Sequence, residues 1–168
     1  NFGLGSLLAI AGRAEEAEAV LRGGAERGHN DCMYNLGALL NPAGRTEEAE
    51  EWYRTAAERG HVESMFNLGV LLHDSGRVQE SLEWLYAAAG HGYTPAMLGL
   101  GMYLPLGVEP YGEGIEWLRK AADLGDTPAM VYLGVRLKRA HRVKDAMKYW
   151  RKAARLGDAD AQSHLASI

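Results

Sequence analysis

Between residues 31 and 41 the apolar positions Met33, Leu36, Gly37 and Leu40 recur at i, i+3, i+4 and i+7. That spacing gathers side chains onto one face of an α-helix. Asn41, Pro42, Ala43 and Gly44 then break the pattern. A second helix is predicted from Thr46, with the threonine placed to cap it. Glu47 and Glu48 fall in its first turn, where the positive end of the helix dipole favours carboxylates. This helix runs to about Arg59, and Gly60 follows where a left-handed C-terminal cap is wanted. Ala49, Trp52, Tyr53, Ala56 and Ala57 share one of its faces. Small side chains there let a neighbouring helix approach closely, and aromatics fill the remaining space.

The pattern repeats along the chain. Leucine is followed by glycine at Gly5, Gly37, Gly69, Gly101 and Gly134, and Leu165 by Ala166, in steps of 32, 32, 32, 33 and 32 residues. Small pairs ending at Ala25, Ala57, Ala89, Ala122 and Ala154 keep this register, as do single glycines at Gly28, Gly60, Gly92, Gly125 and Gly157. Trp84, Trp117, and Tyr149 with Trp150 precede the later small pairs. Met33, Met65, Met97 and Met130 return four residues before each glycine of the first helices, a core position. A helix with one apolar stripe cannot bury it alone, so neighbouring hairpins must stack into a continuous core. The expected fold is all-α: a solenoid of about five helix hairpins in a single repeat domain over residues 1–168. Its repeats lie near 1–29, 30–61, 62–93, 94–126 and 127–158, with a partial one at 159–168. Residues 2–9 read as a first helix lacking its opening turn, and residues 159–168 as a first helix without its second. Neither end carries a polar cap, which predicts further repeats or another domain upstream.

Met33-Tyr34-Asn35-Leu36-Gly37 and Met65-Phe66-Asn67-Leu68-Gly69 resemble the first helix of tetratricopeptide repeats, and Ala49, Tyr53 and Ala56 match the small, aromatic and small positions of the second. The Trp-x-x-x-Ala-Ala-x-x-Gly runs beginning at Trp52, Trp84 and Trp117 resemble the Sel1-like branch, as does the loop Leu106-Gly107-Val108-Glu109-Pro110, whose extra residue explains the longer step. The chain departs from both patterns in its shorter period and in placing His29 and His61 where a helix-ending proline is common. The resemblance implies a bacterial, right-handed α–α superhelix that acts as a non-catalytic scaffold for a protein, a peptide or a helix. In such solenoids the first helices line a concave groove, and positions one turn from the core stripe point into it. Here these are Tyr34, Ala38 and Asn41, then Phe66, Val70 and His73, then Leu98 and Met102, then Val131, Val135, Lys138 and Arg139. Tyr34, Phe66, Leu98 and Val131 would form an apolar line ending at Lys138 and Arg139; alternatively they pack between adjacent first helices.

The hydrophobic fraction of 47% and charged fraction of 24% belong to folded proteins and exclude disordered or collagen-like classes. No apolar run approaches the roughly 20 residues of a membrane-spanning helix, so no membrane partner is expected. Cys32 is the only cysteine, which precludes an intrachain disulfide and suits a reducing, cytoplasmic compartment. No targeting peptide is visible in the opening residues.

A net charge of −4 conceals an asymmetry: residues 1–135 hold nine basic and nineteen acidic side chains, residues 136–168 nine and three. Lys144, Lys148, Arg151, Lys152 and Arg155 follow helical spacing on one outward face, where the second repeat has Glu47, Glu51, Arg54, Thr55 and Glu58. Arg136, Lys138, Arg139 and Arg142 extend the basic region. Such a patch steers an acidic protein segment, or a nucleic acid through its phosphates. Without an aromatic reading surface or a DNA-binding motif, sequence-specific recognition is not expected.

Catalytic chemistry finds little purchase. His29 and His61 occupy the same turn position one repeat apart, as His91 nearly does, and no His-x-x-x-His pair exists, so no metal site is expected. His73, His141 and His164 read as surface or loop residues. The glycines at 99 and 101 and at 112 and 114 follow no strand and precede no Gly-Lys-Ser/Thr, and Cys32 has no activating partner in sequence. No cofactor is implied.

Overall fold

The computed structural model describes residues 13–104 and 112–168. The Gly5 marker, the shortened helix at 2–9 and the loop from Leu106 to Pro110 lie outside the described residues. Within them the chain forms helices α1 (Ala14–Glu26), α2 (Asn30–Leu40), α3 (Thr46–Glu58), α4 (Val62–Asp74), α5 (Val78–Gly90), α6 (Thr94–Tyr103), α7 (Glu113–Asp123), α8 (Thr127–Arg139), α9 (Val143–Arg155) and α10 (Ala159–Ala166), with a short 3-10 turn at Asn41–Ala43. No strand occurs among the described residues. Two compact units are distinguished, one ending at His91 and one beginning at Gly92. In the first, each of α1 to α4 packs on the next helix in sequence; in the second, each of α6 to α9 does the same, and α6 also touches α8. Even-numbered helices are the first helices of the repeats and odd-numbered helices the second.

The turns follow from glycine stereochemistry. Gly60 has φ 86°, a region closed to most side chains by Cβ contact. This lets the N–H groups of Gly60 and His61 fold back onto the carbonyls of Ala57 and Ala56, at 2.9 and 3.0 Å. At the turn between the helices of one hairpin, Gly44 and Gly76 are likewise left-handed, and His141, with φ 58°, stands in their place in the last hairpin.

The residue after each turn glycine opens the next helix. Asp126 and Asp158 accept hydrogen bonds from the N–H groups of Ala129 and Ala161, each at 2.7 Å, and His61 does so from Ser64 N–H through Nδ1 at 3.3 Å. His61 is therefore a helix cap, whereas His29 at the same position makes no side-chain cap. Thr46 is not the cap of α3. Arg45 holds that position, its carbonyl accepting from Ala49 N–H at 3.0 Å, and Thr46 is already inside the helix. Arg13, Arg77 and Arg142 sit at the corresponding positions, and each of the four arginines reaches forward to a carboxylate three residues on: Glu16, Glu48, Glu80 or Asp145. The pair holds a negative charge over the helix N-terminus without using a capping oxygen.

Packing within each hairpin is a large side chain of the second helix seated on a glycine of the first. A Cβ added at Gly37 would lie 2.7 Å from the Tyr53 ring, and one at Gly69 would lie 2.8 Å from Leu85. Gly101 faces Leu118 and Gly134 faces Trp150 in the same way. Tyr53, Leu85, Leu118 and Trp150 are all buried, whereas Trp52, Trp84 and Trp117, expected on the core face, are half-buried one residue earlier. Leu36, Leu68, Leu100 and Leu133 are fully buried, and the four periodic methionines join them in the core. Each fully buried side chain of this size contributes about 1.5–3 kcal/mol of transfer free energy. Ser81, buried like Ser64, donates to the Gly69 carbonyl at 2.6 Å, so its burial leaves no hydroxyl unsatisfied.

Candidate functional site

In the first unit the core stripes of α2 and α4 leave Tyr34, Phe66, Val70 and His73 half-buried and Ala38 and Asn41 exposed. Tyr34 is held from behind: its ring lies 6.2 Å from Tyr53 and 5.5 Å from His61, centroid to centroid. Burial pushes the Tyr53 phenol up to about 12, and Asn67 Nδ2 donates to its oxygen at 3.5 Å. Because Nδ1 of His61 accepts from the α4 backbone, Nε2 is left to donate, and it lies 3.3 Å from Asp31 and 3.6 Å from Glu63. Thus one edge of Tyr34 is fixed by α3 and α4 while the side chain remains partly open to solvent. In the second unit Leu98, Val131 and Val135 are half-buried, and Met102, Lys138 and Arg139 are exposed. Tyr132, 43% exposed on α8, belongs beside them and was not expected. It replaces the Asn35 and Asn67 of the earlier Asn-Leu-Gly runs, a change visible in the aligned repeats. The predicted groove residues accordingly form one set in each unit, both outside the buried stripe.

The second helices of the first unit carry two four-charge squares. Glu18 and Glu48 are bridged by Arg22 and Arg45, and Glu50 and Glu80 by Arg54 and Arg77, at 2.5 to 2.7 Å. These carboxylates are therefore not a free acidic surface. Hydrogen bonds from Arg22 and then Arg45 hold Glu18 and Glu48 below the usual carboxylate range, and those from Arg54 and Arg77 do the same for Glu80. Burial pushes Glu50 up, but the same two arginines outweigh it and leave it lowered. The folded state then binds fewer protons than the unfolded chain. Its contribution to stability is fully present above the ordinary carboxylate value of 4.5 and is lost as pH falls through the depressed folded values. Urea midpoints measured from neutral pH downward should drop below that value, and the double variant Arg45→Met/Arg77→Met should show a shallower drop. An identical acid profile in that variant would mean the squares contribute nothing.

Two of the candidate basic residues are engaged internally. Arg136 Nη2 donates to the carbonyls of Met102 and Leu104 at 3.0 and 3.1 Å, closing the end of α6, and burial followed by the charge of Arg139 lowers its pKa. Arg142 pairs with Asp145. Lys144, Lys148, Arg151, Lys152 and Arg155 are exposed along α9. The last four, with Tyr149 and Asp123 of α7, line an open cavity of about 440 Å³.

His164 is not a surface residue but a half-buried one, stacked on Trp150 at 4.8 Å. Cys32 is buried against Gly24, and burial pushes its thiol up. No group of three or more His, Cys, Asp or Glu suited to a metal ion occurs among the described residues. No described helix is long and apolar enough to cross a membrane.

The Sel1 repeat matches residues 62–93, 94–126 and 142–158, and tetratricopeptide repeats match residues 31–60 and 2–22. The chain is similar to the crystal structure of a Sel1 repeat protein from Oxalobacter formigenes, at 28% identity and a TM-score of 0.80 over 98% of this chain and 74% of that one. It is also similar to c5321, a protective antigen of uropathogenic Escherichia coli with an SLR fold, at 30% identity and a TM-score of 0.77 over 90% of this chain and 36% of that one. YrrB, a tetratricopeptide-repeat protein with an unusual peptide-binding site, shares the fold at 19% identity and a TM-score of 0.67, over 99% of this chain and 90% of that one. No curated protein matches the sequence.

Proposed function

Because this chain belongs to the tetratricopeptide and Sel1-like repeat proteins, all-α solenoids whose repeats generally serve as protein–protein interaction scaffolds, we propose that it is a non-catalytic scaffold binding a peptide, helix or protein segment on the faces of its first helices. The observation that carries this reading is the row of side chains that α2 and α4 leave outside the core: Tyr34, Ala38, Phe66 and Val70, with Asn41 and His73 beyond them. An aromatic ring fixed along one edge, as Tyr34 is by Tyr53 and His61, loses little conformational entropy when a partner covers the other. The peptide-binding site described for YrrB, which shares this fold, supports the same reading. In the second unit the corresponding face is formed by Leu98, Met102, Val131, Tyr132 and Val135, with Lys138 and Arg139 supplying positive charge at the end of α8.

Peptides selected against the chain from a random display library, then titrated by calorimetry, test this. Tyr34→Ala/Phe66→Ala should weaken them at least about 30-fold, as loss of buried aromatic anchors does at interaction hot spots. Circular dichroism checks that the variant remains folded. Selected peptides that bind the folded double variant as tightly as the wild type would place the site elsewhere.

A further inference from the structure

The arginines on the second helices of the first unit are already neutralised. Arg22, Arg45, Arg54 and Arg77 each lie between two glutamates. Helix α9, the last of the second helices, is different. Lys148, Arg151, Lys152 and Arg155 recur at i, i+3, i+4 and i+7 on one face and are all exposed. Among the described residues no carboxylate lies within ion-pair distance of any of them. Lys152 reaches only the Ala122 carbonyl, at 3.4 Å. These four cations are not spread over a flat surface but line the cavity between α9 and the end of α7, where Tyr149 supplies an aromatic wall and Asp123 the single acid. Holding four like charges in one concavity is unfavourable unless something negative enters it.

We propose that this α7–α9 cavity is a docking site for a short acidic segment of a partner protein. The seven helical steps from Lys148 to Arg155 span about 10 Å. An extended chain with carboxylates at alternate positions places them about 6.6 Å apart, so two fit within that length. Arg151 and Arg155 offer planar guanidinium forks to those carboxylates, and the two lysines add mobile ammonium groups. A nucleic acid is less well matched. Its phosphates would meet Asp123 at the end of α7, and one tyrosine is not a platform for stacking successive bases. The cavity lies on the second helices, whereas the faces of the proposed scaffold site lie on the first. The two therefore have separate probes, and either reading can fail alone.

The test is fluorescence anisotropy of the full chain with a labelled peptide of about ten residues alternating glutamate and serine, an extended spacing that matches the cavity. Wild-type protein should bind it at low salt and progressively less as ionic strength rises. Lys148→Glu/Arg155→Glu should weaken binding at least about tenfold, while the charge-matched control Arg13→Glu/Arg27→Glu, in the other unit, should change it less than about twofold. Circular dichroism confirms that both variants are folded. An oligothymidylate of equal charge should bind more weakly than the peptide. The proposal is overturned if the peptide does not bind, if the control variant loses as much affinity as the cavity variant, or if the oligonucleotide binds as tightly.

Discussion

Trp150→Ala should lower the stability of the second unit by about 4 kcal/mol, the range found when a fully buried tryptophan is truncated. Trp150 is among the largest side chains with no exposed surface in the described residues. Its indole rests on Gly134 of α8, its Nε1 donates to the Val131 carbonyl at 3.1 Å, and its other face stacks on His164 of α10. Truncation would remove the transfer free energy of the ring and open a cavity at the α8–α9 contact. It would also leave α10 without the aromatic surface on which it docks. Urea denaturation followed by far-ultraviolet circular dichroism reads the effect as a midpoint lowered by about 2 M, at a slope near 2 kcal/mol per M. Trp150→Phe, which keeps much of the volume, should lose markedly less. If alanine cost under about 1 kcal/mol, the tryptophan would not be the core residue that its burial indicates.

The second large effect is one of sign. In a solvated helix interior, replacing glycine by alanine stabilises by about 1 kcal/mol because the unfolded chain loses freedom. Gly134→Ala should instead destabilise by about 2 kcal/mol, because its Cβ would overlap the Trp150 ring at Nε1, Cε2 and Cδ1. Gly134 lies in the middle of α8, so backbone strain cannot be the cause. The clash predicts strong coupling: in a Trp150→Ala background the same substitution should become neutral or stabilising. Denaturation of the two single variants and the double variant completes the cycle. Additive effects would show that the glycine is retained for some reason other than the indole seated on it.

These two substitutions also mark where reading the chain in order stops being sufficient. Tyr34, Phe66 and their neighbours could be placed off the core stripe because the repeat fixes which helix face each position occupies. The engagement of Arg136 could not be read that way. Its partners are the main-chain carbonyls of Met102 and Leu104, and backbone acceptors have no residue identity to recognise. The same holds across the charge squares, where Arg45 meets Glu18 and Arg77 meets Glu50, each pair 27 positions apart on different helices. Four carboxylates of this unit, Glu18, Glu48, Glu50 and Glu80, are thereby held in ion pairs, while Glu47, Glu51 and Glu58 on the outward face of α3 remain exposed. The basic face loses two arginines to internal contacts, and four of its remaining cations gather around one cavity.

By itself the sequence determined the alternation and spacing of the described helices, the left-handed turns at glycines such as Gly60 and the membership of the first-helix core. These depend on the helical period and on the conformational range of single residues, which are local properties. Only the tertiary structure decided which second-helix side chain enters the core. One step along a helix rotates a side chain by about 100°. Trp52 and Tyr53, or Tyr149 and Trp150, are therefore equally apolar in sequence but point in different directions. Which of them is buried depends on where the glycine of the facing helix leaves room. Gly37, Gly69, Gly101 and Gly134 select Tyr53, Leu85, Leu118 and Trp150 because close packing rewards the side chain that fills the gap left by a missing Cβ.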